Sequence, residues 1–350
     1  MIHALLLWVA TWTASPQSLT LNPDEPLLKI EGQTVRERVR VSIGGERICI
    51  RFTNESSGEP LMIGAATVNA THAITFAGHS AVTVPPGAPM ISDPIDLHVA
   101  AGSEIEISIY FPNRVVNPTL HWLALKRALI SPDATSESSV AISAVYVETK
   151  RRQPLIVAFG DSLIDGDGVS DKDRNWPSDF YRRSHIAIVN EGIVGNRLLA
   201  DGPSFGISAL ARFERDALSI PGVTHIVLEE GLNDIGMDSR SADEIIAAYQ
   251  QLILRAHARG VKIVGVTITP YEGTRMKGYY TDEKNDVRQS VNKWIRTSGA
   301  FDGIIDADAI VRDPEHPSRL RPAFASKDHL HPNDAGYQAL ADAIDLSLFR

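Results

Sequence analysis

The stretch Leu155-Ile156-Val157-Ala158-Phe159-Gly160-Asp161-Ser162-Leu163-Ile164-Asp165-Gly166 decides how the chain is read. Its first five residues are an unbroken apolar run, which suits a strand buried on both faces of a parallel sheet, and Gly160 ends it. Asp161 and Ser162 then fall just past the carboxyl end of a strand, where an open α/β sheet keeps its ligand crevice. By itself Gly-Asp-Ser-Leu is four common residues and reads equally as an ordinary strand-to-loop turn. The rest of the chain decides between the two.

Downstream, apolar runs alternate with helical periodicity, the mark of βαβ units. Strands are expected at Leu155–Phe159, Ile186–Val189, His225–Glu229, Lys262–Thr269 and Gly303–Asp306. Between the third and fourth, Ser241-Ala242-Asp243-Glu244 is a capping box. Ile245, Tyr249, Leu252, Ile253 and Ala256 form one apolar face, and Gly260 closes the helix. Asn333 caps a last helix with Tyr337, Leu340, Ile344 and Leu348 on one face. The expected fold class is α/β, a three-layer flavodoxin-like domain with a parallel sheet over residues 151–350.

Upstream the period is two. Val39, Val41 and Ile43 alternate with polar residues, Gly44-Gly45 supplies a turn, and Ile48, Ile50 and Phe52 follow, a pattern that predicts a β-hairpin. Ile105, Ile107, Ile109 and Phe111 alternate in the same way, Pro85-Pro86-Gly87 and residues 113–118 mark connections, and Ser131 to Ser139 reads as an exposed loop before a strand from Val140 to Val147. Residues 1–150 are therefore expected to form an all-β sandwich of jelly-roll type. Leu6 to Trp12 is read as its first strand. The flanks of that segment lack the charge and the cleavage site of a signal peptide, and it is too short to span a bilayer.

With 350 residues, 43% of them apolar, the chain can bury a core in each of two domains. A net charge of -9 and the lack of a basic run argue against a nucleic-acid footprint. The single cysteine, Cys49, lies in a strand pattern and reads as a core residue. Asp165-Gly166-Asp167-Gly168 resembles a calcium loop only faintly, because Val169 and Ser170 spoil the ligand spacing, so neither metal nor cofactor is expected.

Four stretches place polar groups at the ends of the predicted strands: Ser162, Asn190-Glu191-Gly192-Ile193-Val194-Gly195-Asn196, Glu230-Gly231-Leu232-Asn233-Asp234, and Asp328-His329-Leu330-His331. A serine hydroxyl needs a base to take its proton, and that base needs an acceptor to hold its tautomer. Asp328 and His331, three apart in a tight turn, can fill those two roles for Ser162. The Ser162 N–H, the Gly195 N–H and the Asn233 amide are donors for an oxyanion, and Gly192 is the alternative to Gly195.

This pattern resembles the SGNH hydrolases, the GDSL esterase/lipase family, in bacterial members of which a β-rich domain precedes the hydrolase. The serine of Gly160-Asp161-Ser162, Gly195 before Asn196, Asn233 of Gly231-Leu232-Asn233-Asp234 and His331 of Asp328-His329-Leu330-His331 follow in the family's order over residues 153–350. The resemblance implies that Ser162, Asp328 and His331 are catalytic and that Ser162, Gly195 and Asn233 form the oxyanion hole. It implies a carboxylic ester hydrolase for short-chain acyl esters, with acetylated carbohydrate as the favoured small-molecule or oligosaccharide substrate. A lipid-directed lysophospholipase or thioesterase is the alternative, a non-catalytic carbohydrate-binding protein a third reading, and an exported location is implied by family resemblance alone.

Other residues read as structural: His329 as a surface residue, Asp234 and Glu230 as loop braces, His185, His225 and His257 as framework, and Trp176 and Trp294 as helix packing. The Gly-x-Ser-x-Gly elbow of α/β-hydrolases is missing, which predicts a looser turn and a more open site.

Overall fold

The computed structural model describes residues 7–18, 28–122, 124, 128–131, 134–136, 138–150 and 152–350. The chain divides into two compact units, Met1–Gln153 and Pro154–Arg350.

The first unit is an all-β sandwich built from antiparallel strands. One five-stranded sheet contains Leu7–Thr13, Gly45–Thr53, Pro89–Ile91, Ile95–Val99 and Ile142–Thr149. A six-stranded sheet contains Gln33–Arg40, Ala65–Val68, His72–Ile74, Glu104–Phe111, Ala128–Ile130 and Ala134–Ser136. The period-two reading of residues 104–111 holds, since Ile105, Ile107, Ile109 and Phe111 are all buried. Cys49 is also buried, and burial pushes its thiol up to about 11, so it stays protonated and unreactive.

At two places the β unit departs from the sequence pattern. Gly44-Gly45 does not close a hairpin: the strand before it pairs with Glu104–Phe111, and the strand after it pairs with Ile142–Thr149 in the other sheet. Both glycines serve close passage of backbone instead. A Cβ on Gly44 would lie 2.7 Å from Ala101 N, and one on Gly45 would lie 2.3 Å from Glu148 O. The stretch from Ser131 to Ser139 is likewise not simply an exposed loop. Ala134–Ser136 pairs with Ala128–Ile130, and buried Ser139 donates to Glu37 at 2.5 Å, with the Val140 N–H at 2.6 Å on the other carboxylate oxygen. Burial pushes that Glu37 carboxyl up to about 7. Leu6, the first residue of the predicted opening strand, lies outside the described residues, and the strand runs Leu7–Thr13.

The second unit is the three-layer α/β domain. Five parallel strands, Leu155–Gly160, Ala187–Gly192, His225–Glu229, Lys262–Val266 and Gly303–Ile305, lie in the spatial order second, first, third, fourth, fifth, the flavodoxin-like arrangement. All five residues of the run Leu155 to Phe159 are buried, as two-sided packing requires. Helices α2 (Trp176–Ser184) and α8 (Asp334–Ala343) cover one face, where Trp176, Phe180, Tyr337 and Leu340 meet Ile156, Ala158 and Val227. Helices α3 (Ala209–Phe213) and α5 (Ala242–Ala258) cover the other, with Phe213 edge-on to Phe159 at 5.3 Å between ring centroids. The Ser241 capping box forms as predicted. Helix α8 stops at Ala343, sooner than its periodicity suggests, because Asp345 accepts from the Ser347 N–H and opens a separate 3-10 turn that carries Leu348. No described helix is long and apolar enough to cross a membrane.

Register positions the site. Gly160 at the end of the first strand pairs with Gly192 of the second and Glu229 of the third, so three loops leave the sheet side by side.

Candidate active site

Ser162 sits at the first position of the one-turn helix α1 (Ser162–Asp165). Asp161 caps that turn by accepting from the Leu163 N–H at 2.9 Å, which fixes the serine backbone directly after the strand. The Ser162 hydroxyl lies 2.8 Å from His331 Nε2, and His331 Nδ1 lies 2.6 Å from Asp328 Oδ2. Because a carboxylate only accepts, Nδ1 carries the hydrogen and Nε2 is left as an acceptor for the serine proton. The other Asp328 oxygen takes three donors, Ser326 Oγ at 2.5 Å, Leu330 N–H at 2.8 Å and His331 N–H at 3.0 Å. Burial opposes ionisation of Asp328, but these bonds and the imidazole outweigh it and hold its carboxyl far below the usual range. Burial also opposes protonation of His331, yet the Asp328 hydrogen bond and the charge of Asp167 leave it above its ordinary value.

The three predicted oxyanion donors differ in their surroundings. Ser162 N–H is at the open start of a helical turn. Gly195 adopts φ +72°, a Cβ there would sit 2.4 Å from the Phe205 ring, and its N–H makes no hydrogen bond among the described residues. The Gly192 N–H is occupied by Asn190 Oδ1 at 2.8 Å, which separates the two alternatives. Asn233, in helix α4 (Leu232–Gly236), is oriented by the Tyr279 hydroxyl donating to its Oδ1 at 2.7 Å. Its amide nitrogen donates to Asn196 O at 2.9 Å and, at a longer 3.2 Å, to Asp161 Oδ2.

Beneath these donors lies a buried polar floor, of which sequence reading names the loop braces Asp234 and Glu230 but not Arg212. Arg212 is fully buried, with its guanidinium 4.1 Å above the Phe159 ring. It donates to Gly160 O, Glu191 O and Asn196 Oδ1, each at 2.8 Å, and so ties together the ends of the first two strands and the Gly195 loop. Asp234 braces that same loop by accepting from the Leu198 and Leu199 N–H groups at 2.7 and 2.9 Å. Burial pushes the Asp161 carboxyl up to about 7 and Glu229 up to about 8, and it raises Glu230 well above the ordinary value.

The residues read as structural take framework positions. His329 is exposed, His257 pairs with Asp302 at 2.9 Å, and His225 is buried against Phe349. Trp176 donates to Glu229 at 3.1 Å, and Trp294 stacks on Tyr249.

Residues 158–339, more than half of the chain, match the model of the GDSL-like lipase/acylhydrolase family. The chain belongs to this family. It is accordingly a carboxylic ester hydrolase with the GDSL fold. Among solved structures, a GDSL-like lipase from Bacteroides thetaiotaomicron is 18% identical with a TM-score of 0.45, covering 55% of this chain and 87% of its own. A carbohydrate acetylesterase from Sinorhizobium meliloti is 17% identical with a TM-score of 0.44, over 55% of this chain and 96% of its own. A family two carbohydrate esterase from Cellvibrio japonicus is 11% identical with a TM-score of 0.41, over 98% and 97% of the two chains. No curated protein matches the chain.

Proposed function

We propose that this GDSL hydrolase removes short acyl groups through an acyl-enzyme, with acetyl esters of carbohydrate as its substrate class. Ser162 attacks the ester carbonyl while His331 Nε2 takes its proton. The tetrahedral oxyanion is met by the Ser162 and Gly195 N–H groups and by the Asn233 amide, which exchanges its long contact with Asp161 for the developing charge. His331 then protonates the departing alcohol, and water repeats the sequence on the acyl-enzyme. Asp328 keeps the imidazole in the tautomer that both half-reactions require.

The observation that carries this reading is the unbroken line from Ser162 Oγ through His331 to Asp328, at 2.8 and 2.6 Å. The Gly195 N–H, which makes no hydrogen bond among the described residues, supports the oxyanion assignment. The preference for acetylated carbohydrate rests on the β-sandwich that precedes the hydrolase, an architecture-level analogy. Hydrolysis of 4-nitrophenyl esters from acetate to palmitate by the wild type and Ser162→Ala tests both parts. Activity is expected to peak at acetate and to vanish in the variant. A variant that keeps most of the activity overturns the nucleophile, and a maximum at long chains replaces the carbohydrate reading with a lipid one.

A further inference from the structure

We propose that Asp167 determines specificity at this site, selecting esters whose alcohol part carries no negative charge. This rests on the ester-hydrolase reading above and extends it to the chemistry of the alcohol. Asp167 Oδ2 lies 3.8 Å from His331 Nε2, the nitrogen that faces Ser162, while Asp328 holds the opposite nitrogen. The imidazole therefore stands between two carboxylates, and the second one is on the reacting side.

Asp167 is held there through its backbone and one side-chain oxygen. Its N–H donates to Ser162 O at 2.9 Å, its carbonyl accepts from the Tyr337 hydroxyl at 2.8 Å, and its Oδ1 accepts from the Gly168 N–H at 2.9 Å. Gly168 has φ +89°, and a Cβ on it would lie 2.8 Å from His331 Cβ, so the Asp167–Gly168 turn rests directly on the histidine. Unlike the buried acids of the floor, the Asp167 side chain is 39% exposed, so a ligand can reach its carboxylate. Among the described residues His331 is the only basic group within ion-pair distance of it.

When the tetrahedral intermediate collapses, the bond from the acyl carbon to the alcohol oxygen breaks, and Nε2 gives its proton to that oxygen. The alcohol is thus released beside Asp167. Hydroxyl groups on it can donate to the carboxylate, whereas a phosphate or carboxylate is repelled. Neutral polyhydroxylated alcohols fit this site, and anionic head groups do not. The same charge favours the imidazolium formed during each half-reaction, and it adds to Asp328 and Asp161, the other acids facing His331.

The test compares methyl 4-acetoxybenzoate with its anionic counterpart 4-acetoxybenzoate on the wild type, Asp167→Asn and Ser162→Ala. At neutral pH the wild-type preference in kcat/KM for the neutral ester is expected to shrink about tenfold in Asp167→Asn. Added salt is expected to weaken the discrimination in the wild type and leave the variant unchanged. Removing the anion also lowers the His331 pKa, so the acid limb of kcat/KM should move down by about half a pH unit. An unchanged ester ratio, or an unmoved acid limb, overturns the assignment of Asp167. Persistent turnover by Ser162→Ala would instead bring down the ester-hydrolase mechanism on which it rests.

Discussion

Replacing Asp328 by asparagine turns the geometry of one carboxylate into a quantitative expectation. Asp328 Oδ1 accepts from Ser326 Oγ, Leu330 N–H and His331 N–H, so an amide at this position must keep its oxygen there. Its NH2 group then occupies the place of Oδ2 and confronts His331 Nδ1 at 2.6 Å, a donor where an acceptor was. The imidazole can relieve this only by moving its hydrogen to Nε2, and that removes the acceptor for the Ser162 proton. Restoring the useful tautomer forfeits a charge-assisted bond, about 1.5–3 kcal/mol, and leaves two donors opposed for about 1–3 kcal/mol more. At 1.36 kcal/mol per factor of ten, kcat should fall on the order of 10²–10⁴. The assay is the steady-state hydrolysis of 4-nitrophenyl acetate by Asp328→Asn, with the near-UV circular dichroism matched to the wild type. All three donors to Oδ1 survive the substitution, so the loop should fold as before. A folded variant within about tenfold of the wild-type kcat would refute the tautomer argument.

Tyr279→Phe removes the hydroxyl that orients Asn233 while preserving the ring, and it should lower kcat about tenfold with KM little changed. An equal rise of KM and no loss of kcat would show that the tyrosine only packs. Glu229 is raised from 4.5 to about 8, chiefly by burial, so the native state holds a proton that the unfolded chain has already released. Its contribution is complete below pH 4.5 and is lost as the pH rises to about 8. Glu229→Gln should therefore lose less melting temperature than the wild type between those limits. A parallel decline of the two proteins by thermal denaturation would argue against the buried proton.

The sequence was most legible where one local rule decided the outcome. The apolar run Leu155 to Phe159, closed by Gly160, suits a two-sided strand, and Ser241 with Glu244 states a helix start in four residues. Asp328 and His331 were legible because their partnership is local, three residues apart in one turn. The floor of the site was not, because its partners are distant. Nothing near Arg212 in sequence announces acceptors 52 and 21 residues away. Tyr279 likewise meets Asn233 across 46 residues. The Gly44-Gly45 reading failed for a related reason: paired glycines signal a hairpin by turn chemistry, but here they make room for the backbone of residues 99–101 and 148. Local polarity misled at Ser139, whose hydroxyl is spent on buried Glu37 rather than on water.

Arg212 also limits how this enzyme can be remodelled. A loop exchanged from another hydrolase after the second strand would arrive as a cassette, yet this loop is not one. Its Asn196 receives Arg212 through the side-chain oxygen, grips the carbonyls of Phe205 and Ile207 through the amide, and offers its own carbonyl to Asn233. A graft lacking an asparagine at that point would leave the Arg212 Nε without its acceptor in the interior and free the carbonyls of Phe205 and Ile207, while Gly160 and Glu191 still held the guanidinium. Substrate range is more easily varied at positions whose side chains leave this knot untouched, and Asp167, whose bonds run to Gly168 and Tyr337 instead, is one of them.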